Sequence, residues 1–103
     1  MLDLSIYPIQ KLPIKLEDGS VINLLEPSIS MKNYIGNTIK DLTKLTDDNL
    51  EKAMLTLVSK ILNNNDEDKK IDSKYIKKLN TRQIEALINE YANFINEIQK
   101  NPN

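Results

Sequence analysis

The chain has 103 residues, a length that predicts a single domain over residues 1–103 built around one hydrophobic core. Fourteen basic and fifteen acidic side chains leave a formal net charge of -1, so the chain lacks the overall positive field that draws in nucleic acid. The absence of cysteine excludes disulfides and zinc–thiolate sites and favours the cytoplasm. The N-terminal residues show no basic region before a long apolar stretch, so we expect no signal peptide and no membrane span.

The first predicted element is a β-hairpin over residues about 12–26. Two short apolar runs flank Asp18-Gly19, a dipeptide typical of tight turns between antiparallel strands. Apolar side chains alternate with polar residues or proline in the first run, which gives that strand one apolar face. Pro13 confines the strand to a sheet edge and leaves a plain loop as the alternative. Residues 4–9 are a candidate third strand.

Apolar side chains then recur at helical spacing in four segments, so the predicted fold class is α+β, mainly α. The predicted helices cover residues about 30–45, 48–63, 73–79 and 81–99, and Pro102 is expected to stop the last one. Between the second and third helices, residues 66–70 are all charged, which predicts a solvated loop.

Short polar residues stand where these helices are predicted to start. The candidate N-caps are Ser28 or Ser30 for the first helix, Asp72 or Ser73 for the third, and Asn80 or Thr81 for the fourth. The second helix is expected to begin at Asp47 or Asp48, where Asp48 and Glu51 form a capping-box-like pair. Gly36 lies inside the first helix, which indicates either a locally weak helix or the close approach of another backbone.

The sequence offers little catalytic equipment. Without His or Cys, it lacks the commonest general base and the best nucleophile. Two glycines, Gly19 and Gly36, are too few for a phosphate-cradling loop or a dinucleotide-binding motif. The carboxylates fall in turns, in caps and on polar helix faces, where we expect ordinary solvated side chains. We therefore predict a protein that is not an enzyme, with no catalytic residue and no cofactor.

One spacing resembles a calcium-binding loop and fails its other requirements. Positions one, three, five and nine would be Asn64, Asp66, Asp68 and Asp72. Position six is Lys69 where a glycine makes the sharp turn, and position twelve is Tyr75 where a bidentate Glu belongs. We predict no metal site.

A cluster of lysines raises the alternative of a small helical regulator that binds nucleic acid. The cluster consists of Lys69, Lys70, Lys74, Lys77 and Lys78. Acidic residues interleave with these lysines and cancel most of their field. Bidentate recognition of phosphates and guanines favours arginine, and the chain has only Arg82. We predict no nucleic-acid partner.

The last predicted helix carries the broadest apolar stripe of the chain. It comprises Ile84, Leu87, Ile88, Tyr91, Phe94, Ile95 and Ile98. The stripe is wider and more aromatic than one small domain needs, so we predict that it binds protein, in a helix-in-groove contact or a homo-oligomer. The alternative is that these side chains form core. The two interpretations are compatible if the helix buries half of the stripe in its own core and exposes the other half to a partner.

The order of features resembles the small tail assembly chaperones of bacteriophages and prophages of low-GC Gram-positive bacteria. The residues that carry the resemblance are the turn Lys15-Leu16-Glu17-Asp18-Gly19-Ser20, the exit Leu24-Leu25-Glu26-Pro27, the acidic loop and the ending Gln99-Lys100-Asn101-Pro102-Asn103. The resemblance implies a protein of the host cytoplasm that binds the tape-measure protein and assists assembly of tail-tube subunits around it. It implies no catalytic residues, and in many relatives a longer frameshifted form.

Two alternatives to a chaperone remain at this stage. One is a structural component of the virion, such as a head-tail connector or a minor tail protein, that oligomerises through the last helix. The other is the small helical regulatory protein introduced with the lysine cluster.

Overall fold

A computed structural model describes the backbone of residues 1–100 and the side chains of residues 1–99. This part of the chain forms strands β1 (Lys11–Lys15) and β2 (Val21–Leu25) and helices α1 (Ile29–Asp41), α2 (Asp47–Asn63), α3 (Ser73–Lys77) and α4 (Thr81–Lys100). Short 3-10 turns cover Leu4–Ile6 and Leu42–Lys44. The predicted α+β, mainly α, fold with an N-terminal hairpin is confirmed. The predicted stop at Pro102 lies outside the described residues.

The hairpin is antiparallel, and its register places two apolar side chains from each strand on one face. Leu12 pairs with Leu24 and Ile14 with Ile22, and the two β2 side chains are almost completely buried. At the turn, Gly19 has a φ of +88°, a left-handed conformation that suits glycine. Ser20 donates hydrogen bonds to the Asp18 carboxylate from its hydroxyl and its backbone N–H. These bonds lower the pKa of Asp18.

The prediction of a third strand from residues 4–9 is wrong. Leu4–Ile6 forms a 3-10 turn, because the Asp3 carboxylate accepts hydrogen bonds from the backbone N–H and the hydroxyl of Ser5. A third strand would have to pair with the outer edge of β1. Pro8 has no N–H to donate to such a pairing, and Pro13 removes a donor from β1. Residues 1–9 are therefore all exposed.

A short loop segment lies instead against the free edge of β2. The backbone N–H of Leu25 donates to the carbonyl of Asn64 at 2.8 Å, and the N–H of Asp66 donates to the carbonyl of Asn23 at 3.0 Å. Leu24 and Asn65 form the isolated antiparallel bridge between them. The end of α2 is thereby attached to the hairpin.

Helix starts follow the sequence closely, with one exception. Ser28 caps α1 and Asp72 caps α3, each side chain accepting a backbone N–H bond three residues on. α2 begins at Asp47, one of the two expected starts, but the predicted capping-box pair of Asp48 and Glu51 is wrong, because Thr46 is the N-cap and Asp48 lies inside the first turn. There a carboxylate interacts favourably with the helix dipole without capping it.

A reciprocal capping box starts α4. The Asn80 side chain accepts from the N–H of Gln83, and the Gln83 side chain accepts from the N–H of Asn80, both at 2.9 Å. The Gln83 amide also donates to the Glu17 carboxylate at 2.7 Å. The first turn of α4 is thus connected directly to the hairpin turn.

The core lies between the hairpin face and α2, with contributions from each of the other helices. Its buried hydrophobic side chains are Ile22, Leu24, Ile35, Leu57, Val58, Ile61, Leu62, Ile71, Ile76, Ile84 and Tyr91. α2 supplies four of them and is the central helix. None of the described helices combines the length and the apolar character that crossing a bilayer demands.

Candidate protein-binding surfaces

The apolar stripe predicted on α4 divides between core and surface. Ile84 and Tyr91 are buried, 9% and 1% exposed. Leu87, Ile88, Phe94 and Ile95 are half-buried and pack against the core. Ile98 is half-buried near the end of the helix. The stripe is therefore divided along its whole length, with Ile84 and Tyr91 in the core and the other five side chains half-buried around them.

Hydrogen bonds of Tyr91 connect α4 to the end of β2. Its hydroxyl donates to the carbonyl of Leu25 at 2.7 Å and accepts a longer bond, 3.5 Å, from the Asn64 amide. Burial raises the pKa of Tyr91, and the bond from Asn64 offsets part of that rise. The ring centroid of Phe94, three residues further along the helix, lies 6.0 Å from that of Tyr91, within the range of an aromatic pair. These contacts identify Tyr91 as structural.

Three consecutive asparagines organise the loop after α2, a role that sequence reasoning missed. Asn63 and Ile71 exchange two hydrogen bonds, of 2.7 Å and 3.2 Å, across the base of the loop. Asn65 is 6% exposed and makes four bonds of its own. Asparagine favours such bonds to nearby backbone, which is the signal that could have found them.

The side chains of the candidate calcium loop are engaged elsewhere. Asn64 donates to the carbonyl of Leu25, and Asp66 accepts from Asn23 and from Lys11, each at 3.2 Å. The bond from Asn23 and the Lys11 ammonium lower the pKa of Asp66. Among the described residues, no group of three or more His, Cys, Asp and Glu side chains has an arrangement that could hold a metal ion.

The charged side chains lie on the surface, as the sequence predicted. The described Asp and Glu residues are exposed except Glu26, which is half-buried, and the side chain of Asp66 is 21% exposed where it pairs with Lys11. The five lysines of the cluster are exposed on α3 and on the loops beside it, and the exposed Asp72 lies among them in the sequence.

The most apolar exposed part of the molecule is an N-terminal arm, residues 1–9. Six of its nine side chains are exposed large hydrophobic groups: Met1, Leu2, Leu4, Ile6, Tyr7 and Ile9. The arm leaves from a fixed point, because Gln10 and Glu26 exchange two hydrogen bonds of 2.8 Å and 3.0 Å. Exposed apolar groups in such a concentration mark contact surfaces in soluble proteins.

A second apolar surface, which we call the shelf, lies where α1 begins and α4 ends. Pro27, Ile29, Ile95 and Ile98 line a shallow cavity of about 210 Å³, with Glu26, Lys32 and Gln99 around it. Ile29 is 82% exposed although it stands in the first turn of a helix. The shelf thus includes the last two residues of the predicted binding stripe.

A third surface is an open groove of about 410 Å³ between β1, α3 and α4. Its apolar lining consists of Pro13, Ile14, Leu16, Leu62, Leu79, Ala86 and Leu87. Lys15, Glu17 and Glu90 supply charges, and Tyr75 and Gln83 complete the lining. The hydrogen bonds of Glu17 with Tyr75 and Gln83 hold the hairpin turn against the two helices at this groove.

The arm, the shelf and the groove can each bury apolar groups of a partner, and their polar groups are already hydrogen-bonded or solvated. Such surfaces suit association with a protein partner. No protein-family model, no curated protein and no solved structure matched this chain.

Proposed function

We propose that this chain is a non-enzymatic tail assembly chaperone, which binds the tape-measure protein in the host cytoplasm and assists tail-tube assembly. The observation that carries the binding role is the shelf, where Ile29 is 82% exposed beside Ile95 and Ile98. The client is taken from the resemblance in the order of the sequence features. The lack of His and Cys supports the non-enzymatic part of the proposal.

The shelf is suited to an amphipathic helix. Two helix ends frame it, and a client helix laid across them would place apolar residues three or four positions apart against Ile29 and Ile98. Burying one such side chain contributes about 1.5–3 kcal/mol before the costs of association, which are about 4–15 kcal/mol. A contact confined to the shelf is therefore weak and reversible. That property suits a chaperone that must release its client to the tail tube.

The test is co-expression with the long helical protein that is encoded as the tape measure in the same phage. We expect this chain to raise the soluble fraction of the client several-fold, and the Ile29→Glu/Ile98→Glu variant to lose most of that effect. Ile39→Glu is the matched control, because Ile39 is also an exposed apolar residue of α1 but lies away from the shelf. A client that stays equally insoluble with and without the chain contradicts the proposal.

A virion component is the second candidate, and the arm favours it. A subunit that is built into an assembly uses exposed apolar segments to contact its neighbours, and residues 1–9 are such a segment. Mass spectrometry of purified particles separates the two candidates. A connector or minor tail protein is present in stoichiometric amounts, whereas a chaperone is absent.

A further inference from the structure

We propose that the arm of one copy of this chain seats in the groove of a second copy, so that two copies exchange arms. One chain carries both an uncovered apolar segment, residues 1–9, and an open apolar groove between β1, α3 and α4. Two copies can satisfy both surfaces at once around a two-fold axis. The contact is distinct from the shelf to which the client is assigned.

The arm is uncovered on its own copy. Leu2, Leu4 and Ile9 are 74%, 73% and 62% exposed, and residues 1–10 as a whole are exposed. Its conformation is nevertheless defined, because the Asp3 and Ser5 bonds shape its turn and Gln10 holds its root to Glu26. A shaped apolar segment loses less conformational entropy on binding than a random coil does.

The groove suits a ligand that inserts apolar side chains and does not have to pair with β1 as a continuous additional strand. The bonds of Gln10 with Glu26 and of Leu16 with Ser20 show which β1 residues face β2, so the backbone groups of Lys11, Pro13 and Lys15 point outward. Pro13 has no N–H, so an added strand would meet a gap in the middle of this edge. The arm meets this requirement, because it is apolar and contains a turn and a proline of its own.

The root of the arm favours the groove of another copy over its own. The arm leaves at Gln10, next to the start of β1, and the groove follows the same strand from Pro13 to Glu17. To reach its own groove the arm would have to reverse direction between Pro8 and Gln10. The two bonds of Gln10 with Glu26 hold the root of the arm and oppose that reversal at Gln10. A second copy requires no reversal.

The area of the contact is also compatible with a pair of copies. Six apolar side chains at about 100 Å² each give about 600 Å² per arm, and two arms with the grooves they cover exceed the roughly 1,200 Å² of the smallest standard interfaces. A single arm contact with an unrelated protein would bury about 1,200 Å² in total, half of the area of the exchanged pair and only the minimum of that class.

The first experiment measures the mass of the full-length chain by analytical ultracentrifugation over a wide range of concentration. We expect a dimer for the wild type and for Ile39→Glu, and a monomer for the arm variant Leu4→Glu/Ile6→Glu and the groove variant Ala86→Glu. Leu4, Ile6 and Ala86 are exposed, so the variants should fold, and circular dichroism verifies this. A monomeric wild type at every concentration overturns the inference. A dimer that survives Ala86→Glu also overturns it, because the arms then contact each other or another surface.

The second experiment captures the contact covalently, which the natural absence of cysteine makes straightforward. Leu4→Cys and Ile6→Cys proteins are each mixed with Ala86→Cys protein and oxidised. We expect disulfide-linked heterodimers in several-fold excess over those formed by Ile39→Cys with Ala86→Cys. Equal yields for the arm and control positions overturn the inference. No client is present in either experiment, so a negative result leaves the proposed chaperone function standing.

Discussion

Asn65 is a buried amide that organises the turn between α2 and α3. Its Nδ2 donates to the carbonyls of Leu62 and Lys69, and its Oδ1 accepts from the N–H groups of Glu67 and Lys69. Asn65→Ala removes all four bonds and leaves buried and partly buried backbone groups of the turn without these partners, so we expect a loss of about 2–4 kcal/mol in the free energy of unfolding. Urea denaturation measures it. The exposed Asn93→Ala on α4 should change stability by less than about 0.5 kcal/mol, and equal effects of the two substitutions would refute this role.

Tyr91 makes the stability of the protein depend on alkaline pH. Burial raises its pKa in the folded chain, whereas the unfolded chain releases the phenolic proton near the ordinary pKa of about 10. Above that pH the folded state binds more protons than the unfolded state, so the contribution of Tyr91 is complete below about pH 10 and is lost as pH rises towards the folded pKa.

Comparison with Tyr91→Phe isolates this contribution. The variant loses the bond to Leu25, whose carbonyl still accepts from Asn64, so we expect it to be about 1 kcal/mol less stable at neutral pH. The other titrating groups are common to both proteins. The gap between their urea midpoints should therefore narrow between about pH 8 and about pH 11. A gap that widens over this range would contradict the raised pKa.

At the scale of elements, α1 shows how structure decides between two readings of a glycine. Gly36 lies within the helix, and a Cβ built on it would find none of the described heavy atoms within 4 Å. No close backbone approach requires this glycine, so it only weakens the helix. We expect Gly36→Ala to raise the free energy of unfolding by about 0.5–1 kcal/mol.

Gly19 is the matched comparison for Gly36. A Cβ there also meets open space, but the residue has a φ of +88° in the hairpin turn. Gly19→Ala should therefore destabilise by about 1–2 kcal/mol, the cost of a left-handed conformation for a side-chain-bearing residue. Thermal denaturation of the two variants gives shifts of opposite sign. Stabilisation by both substitutions would show that the turn conformation differs from the one described.

The elements themselves were largely predictable, because their signals are local. The Asp18-Gly19 turn and the alternation around it identified the hairpin, and Ser28 and Asp72 cap the helices they were expected to cap. The failures were also local in origin. At residues 4–9 the hydrogen bonds of Asp3 with Ser5 competed with strand formation, and at α2 the helix began one residue before the expected cap.

At the scale of the whole molecule, the arm contributes apolar surface and little folding energy. Its residues are exposed, so deleting residues 1–9 should change the free energy of unfolding of the dilute protein by less than about 0.5 kcal/mol. At high concentration the wild type should become more stable than the deletion variant, because association stabilises only the folded state. Urea midpoints at the two concentrations test this. A large loss in dilute solution would mean that the arm packs on its own core.

The sequence alone determined the hairpin, the helices and their apolar faces, because periods of 2 and 3.6 residues and capping residues act over a few positions. Tertiary structure decided what covers each face. Of the residues in the apolar stripe of α4, it buried Ile84 and Tyr91 in the core and placed Ile95 and Ile98 at the shelf. It also made Asn65 a buried anchor and left residues 1–9 uncovered. These outcomes depend on contacts between segments far apart in the chain, such as Tyr91 with Leu25, which no local pattern specifies.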